Sequence, residues 1–202
     1  MSQYNTIKNR FRGFMPVVVD LETGGFNPES DALLEVAYIF LKYKDNTLIF
    51  DEIIHDHIVP FEGSNLDPEA LKFNKIEPFH PFRNAIDEKK ALNNAFKVIR
   101  QKAQENHCSR AILVGHNPTF DLSFLIEGAN RHKLKLPFHK FTTFDTATLG
   151  GLIYGQTVLA QAVKAANIEF DNKEAHGALY DATKTAELFC KIVNLWEKRK
   201  NL

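Results

Sequence analysis

The chain has 202 residues, 44% apolar and 25% charged, with 25 Lys+Arg balanced by 25 Asp+Glu. That is the balance of an ordinary globular protein of one domain with room for a substantial core, and a zero net charge neither suggests nor excludes a nucleic-acid partner, because binding needs a local basic patch. The N-terminal MSQYNTIKNRFRGFMP lacks the apolar segment of a signal peptide, no apolar run reaches the ~18–20 residues of a membrane span, and the two cysteines read as reduced thiols, so a cytoplasmic location is expected.

The first predicted element is a strand over Pro16–Glu22, a valine-rich run that ends in two acids. Ala32–Lys42 and Leu48–Val59 read as two more strands, joined by a hairpin turn at Lys44-Asp45-Asn46. Within the third, His55-Asp56-His57 puts two histidines on one strand face, but no third metal ligand is evident in the sequence, and the segment reads as a surface strand. Asp67-Pro68 is a helix start, with Asp67 as cap and proline at the first helical position. Ile86–His107 has apolar residues at three-and-four spacing on one face and a lysine-rich face that reads as solvated. Arg110–Gly115 is a short strand of the kind buried on both sides. Asn117-Pro118 opens a helix through about Arg131, with Asn117 as its expected cap. Phe141–Phe144 is a further strand, Val158–Ala166 is helical, and a last helix covers Ala178–Lys198. A three-strand antiparallel meander followed by alternating helices and strands argues for an α/β protein, a mixed sheet flanked by helices. By analogy, that order resembles the ribonuclease-H-like architecture.

Side chains two apart in a strand share a face, so Asp20 and Glu22 can hold the same ion. Alone, a D-x-E pair marks a solvated strand end. Asp121, in His116-Asn117-Pro118-Thr119-Phe120-Asp121, falls in the first turn of a helix, where the dipole favours an acid. Asp181 falls in the first turn of the last helix, and His176 precedes that helix.

Together the four acids and the histidine, in this order and spacing, resemble the DEDDh family of 3′→5′ exonucleases across nearly the whole chain. The resemblance implies a single exonuclease domain over residues 1–202, in which Asp20, Glu22, Asp121 and Asp181 hold two Mg²⁺ ions, with Mn²⁺ a substitute. It makes His176 the general base, and nucleoside 5′-monophosphates the products. Oxygen-only donors suit such hard ions independently of the resemblance. Two ions ~3.5–4 Å apart can clamp a phosphodiester.

The segments DLETGGFNPESDALLEVA, NLDPEALKFNKIEPFHPFR, PFHKFTTFDTATLGGLIYGQTVL and AHGALYDATKTAELFCKIVN are similar to an RNA-trimming branch of that family. The likeness implies that Phe26, Phe73, Phe120 and Phe141 stack on terminal bases, that Glu69 touches them, and that Arg10, Arg12, Arg110 and Lys135 grip the RNA backbone. It implies a homodimer in which this basic patch serves the partner's active site. The expected substrates are 3′ ends of tRNA and other small stable RNAs, with single-stranded DNA 3′ ends also accepted. The glycines after Glu22 are expected to let the backbone approach the terminal nucleotide. Two rival readings are a DNA-proofreading exonuclease subunit and a non-catalytic RNA-binding module. The first is disfavoured by NLDPEALKFN, and the second by the complete set of ligands.

Overall fold

The computed structural model describes residues 6–175 and 177–199. Strands β1 (Phe14–Thr23), β2 (Leu33–Lys44) and β3 (Thr47–Val59) form the antiparallel meander. Asp45 and Asn46 both have positive φ, 50° and 59°, which a tight two-residue hairpin requires. After the short helices α1 (Ile7–Arg10) and α2 (Pro68–Asn74) come β4 (Ile86–Asp87), α3 (Glu88–Glu105), β5 (Arg110–Gly115), α4 (Thr119–Arg131), β6 (Phe138–Asp145), α5 (Thr146–Tyr154), α6 (Leu159–Ala165) and α7 (Ala178–Arg199). The sheet order is β4-β3-β2-β1-β5-β6, with β5 parallel to β1 and β6 parallel to β5. This is the expected mixed sheet.

Val17, Val18 and Val19 are all fully buried. Successive side chains point to opposite faces, so the sheet is covered on both. Helix α7 packs on β1, β2 and β3, while α3 packs on β3 and β5 and pairs with α4. A second, smaller apolar cluster, including Ala162, Val163, Leu188 and Ile192, joins α6 to α7.

Four local expectations are corrected. Helix α3 starts at Glu88 rather than Ile86, because Ile86 pairs with Ile58 of β3 and Asp87 caps the helix by accepting from the Lys90 N–H. Asn117 does not cap α4. It has φ 64°, its N–H donates to the Asp145 carboxylate at 3.0 Å, and Pro118 takes the cap position. Helices α1 and α5 were not expected; α5 is started by Asp145, whose carboxylate accepts from the N–H groups of Ala147 and Thr148. Strand β6 runs longer than Phe141–Phe144, because its pairing to β5 begins at Phe138.

Candidate active site

Parallel pairing of β1 with β5 brings the end of β1 beside the turn into α4. Asp20 and Glu22 therefore meet Asp121, which is buried in the first turn of α4. Asp181 enters from the first turn of α7, where its own N–H is bonded to the Gly177 carbonyl at 3.0 Å. Carboxylate oxygens of Asp20, Glu22 and Asp181 lie within 4.8 Å of one another. Glu22 sits directly opposite Glu35 of β2.

This crowding is expensive without a cation. Burial raises the Asp20 carboxyl well above its ordinary range, and the charges of Asp121, Glu22, Asp181 and Glu35 push it further. Glu22 is raised to about 8 by burial, then by Glu35, Asp181 and Asp121. Burial takes Asp121 to about 7, against the pull of hydrogen bonds from its own backbone N–H and that of Leu21. An all-oxygen donor set under mutual repulsion fits hard dications such as Mg²⁺, whose charge offsets the repulsion. His176 lies outside the described residues.

A pH dependence follows. Glu22 and Asp121 hold protons more tightly folded than unfolded, so their favourable contribution is complete below their ordinary range near 4 and is lost as pH rises to about 7 and 8. The carboxyls lowered on folding, Asp31, Asp51, Asp145 and Glu35, titrate below pH 5. His57 and His116, lowered by burial, act below their ordinary value of 6.5. Melting of metal-free protein is therefore expected at lower temperature at pH 8.5 than at pH 6.5, each such group contributing up to ~1.4 kcal/mol per pH unit. Saturating Mg²⁺ should abolish most of that slope. An equal slope with and without Mg²⁺, measured by calorimetry, would refute the crowding.

Beside the acids opens a cleft of about 800 Å³ lined by Asp20, Glu22, Phe26, Glu69, Phe73, Phe120 and Asp181 among others. Helix α2 forms one wall and is pinned at both ends. The Asp67 N–H donates to the Gly24 carbonyl at 2.6 Å, and Asn74 Nδ2 donates to the Thr23 carbonyl at 3.0 Å. Glu69 and Phe73, four apart, consequently share the face toward the acids. Phe26 and Phe73 are 82% and 64% exposed, apolar surface that water rather than the core contacts. Phe120 is half-buried and meets Phe26 edge-on, with ring centroids 6.2 Å apart.

Gly25 has a packing reason of its own. A Cβ there would collide with the Asp31 carboxylate, which organises the turn by accepting from the Asn27 N–H, Ser30 and Asn65. Phe26 owes its position to that turn.

The remaining residues lie elsewhere. Phe141 is 92% exposed on β6, next to His139, and is not among the residues lining the cleft. Arg10 is bound to buried Glu197 at 2.7 Å. Arg110 and Lys135 line a separate cavity of about 580 Å³ together with Arg100, Gln104 and Lys140. Arg100 and Lys140 were missed in the sequence. The polar face of α3 gave no sign that Arg100 reaches over to donate to the Lys135 carbonyl. Arg110 pairs with Phe14, six residues before Asp20 on the same strand, which sets this basic group ~20 Å from the acids.

A mixed sheet with four acids converging at the ends of its central strands defines a metal-dependent exonuclease, and a family model described as Exonuclease matches residues 17–189. The fold is that of Escherichia coli exonuclease I, solved with a dT13 oligonucleotide, with a TM-score of 0.70 at 18% identity over 93% of this chain. The chain spans 42% of the length of exonuclease I. It is 57% identical to ribonuclease T of Vibrio parahaemolyticus over 95% of this chain and 91% of the relative. It is 55% identical to ribonuclease T of Wigglesworthia glossinidia brevipalpis over 96% and 91% respectively. The chain belongs to the ribonuclease T family.

Proposed function

We propose that this chain acts as one exonuclease domain that trims the 3′ ends of tRNA and other small stable RNAs, and also single-stranded DNA 3′ ends, releasing nucleoside 5′-monophosphates. The carrying observation is the crowding of the four acids, three of which, Asp20, Glu22 and Asp181, line a cleft walled by exposed aromatic rings. Asp20, Glu22, Asp121 and Asp181 would hold the two Mg²⁺ ions. When bound, the ions lower the pKa of an attacking water and offset charge on the phosphate. Phe26 and Phe73 stack on the last bases, Phe120 supports Phe26, and Glu69 meets a base edge. His176, just before α7, takes the proton of the attacking water. No described helix is long and apolar enough to cross a membrane.

A homodimer completes the reading. The patch of Arg110 and Lys135 lies at the opposite end of β1 and β5 from the acids, so it is poorly placed for its own cleft and available to a partner's. Arg12 and Phe141 are likewise exposed away from the cleft.

A 5′-labelled RNA with a short 3′ overhang, incubated with Mg²⁺, is expected to shorten stepwise. Persistence of full-length RNA would refute the reading. Side-by-side trimming of tRNA, generic RNA and single-stranded DNA ranks the substrates. Phe73→Ala should weaken binding of a single-stranded 3′ end ~5–150-fold, the range for losing one base stack worth ~1–3 kcal/mol. Binding of duplex ends should change less. Fluorescence anisotropy with catalysis blocked by Ca²⁺ measures both, and equal affinity for wild type and variant would remove Phe73 from the base contacts.

A further inference from the structure

The geometry points to a second metal site, made by Glu35, His55 and His57, that takes a transition dication of the zinc class rather than Mg²⁺. We infer it independently of the exonuclease reading.

One ligand atom from each of the three side chains lies within 4.8 Å of the others. Glu35 and His57 are direct partners across β2 and β3, and His55 lies two residues before His57 on the same face. Glu35 Oε1 is 2.7 Å from His55 Nε2, and Oε2 is 3.8 Å from His57 Nδ1. The imidazole rings meet edge-on with centroids 4.9 Å apart.

A second observation separates this cluster from a simple hydrogen-bonded trio. His57 Nδ1 is buried and has no hydrogen-bond partner among the described residues. An orphaned buried nitrogen costs ~1–3 kcal/mol. His55 alone satisfies Glu35 Oε1, so the orphan needs another explanation, and an ion held by all three side chains provides it.

The donor set selects the ion. Two imidazoles and one carboxylate suit zinc and its neighbours, whereas Mg²⁺ prefers oxygen. Three protein ligands leave a fourth position for water, and two of the three, Glu35 and His57, line a cavity of about 480 Å³ together with Lys75, His80 and Arg83 among others. Arg83 donates its hydrogen bonds to the Pro78 and Leu34 carbonyls, at 2.8 and 2.7 Å, and reaches Glu35 through its charge. Its positive charge opposes any cation nearby, so the imidazole bonds must supply the affinity. That again favours a transition ion.

The test is equilibrium dialysis against Zn²⁺ with a large excess of Mg²⁺ to occupy the acids, followed by metal analysis. Wild type and Asp20→Asn should each retain one zinc per chain. His55→Ala and His57→Ala should lose it while keeping wild-type circular dichroism. Zinc anomalous scattering from crystals of the unmodified protein should peak between the three side chains, a readout that needs no variant to fold. The proposal is overturned if wild type retains no zinc, if His57→Ala keeps it, if only Asp20→Asn loses it, or if the anomalous peak lies at the acids alone.

Discussion

Asp20→Asn is expected to cut exonuclease activity by at least ~10³-fold and to raise the melting temperature of the metal-free protein. Both effects come from one charge. Asp20 lies at the centre of the acids, where burial and then Asp121, Glu22, Asp181 and Glu35 all oppose its ionisation. Asparagine keeps the volume, so no cavity forms, and removes the repulsion. Each kcal/mol of relief appears as ~2–4 °C for a chain of this size. The same change removes a ligand oxygen from the site that positions the catalytic charge, and losing one preorganised group of that kind costs ~10²–10³ in rate. Losing a charged metal ligand would cost at least the upper figure. Mg²⁺ should raise the melting temperature of wild type much more than that of the variant. Retained activity would remove Asp20 from the metal site. An unchanged melting temperature without metal would show that the acids do not repel one another as their burial implies. A variant more stable and inactive would be an instance of a site that trades stability for function.

His176→Ala is expected to slow the chemical step by ~10²–10⁴-fold, the range for a general base, while leaving binding of the RNA 3′ end unchanged. Family resemblance gives His176 the role of base. The bond between the Asp181 N–H and the Gly177 carbonyl locks the start of α7, which delivers Asp181 to the acids, and His176 precedes Gly177 in the sequence. An imidazole near its ordinary value of ~6.5 is part neutral at physiological pH and can accept a proton from water. Wild-type single-turnover rates should rise with pH through that region and then level off. In the variant the imidazole's part of that rise should disappear. Equal single-turnover rates would end the assignment. A rate loss matched by an equal loss of binding would make the histidine a substrate contact instead.

Much of this was legible in the chain. The valine run with acids two apart, the buried RAILVG strand, the Asp67-Pro68 helix start and the order of elements are local signals. They depend on strand periodicity and on capping within a few residues, and the structure keeps the expected elements in that order while adding α1, β4 and α5. The family motif pointed to the acids because their order along the chain is itself informative. Where local reasoning failed, a distant partner had taken over. Asn117 gave up the cap because Asp145, from β6, claimed its N–H. Ile86 left the helix because Ile58 offered a strand partner.

The sequence by itself determined the candidates for the chemistry, four carboxylates and a histidine, and placed two of the acids, Asp20 and Glu22, on a strand too apolar to be anywhere but the core. Only the tertiary structure decided what stands beside them. It pinned Phe73 and Glu69 over the acids through two hydrogen bonds from α2 and set Arg110 at the far end of the same strands. It also supplied Glu35 as the third ligand that His55 and His57 lacked in the sequence. The physical reason is that strand register is set by the pairing of whole elements. Glu35 and His57 are twenty-two positions apart along the chain, and no local preference of either residue records that they face each other.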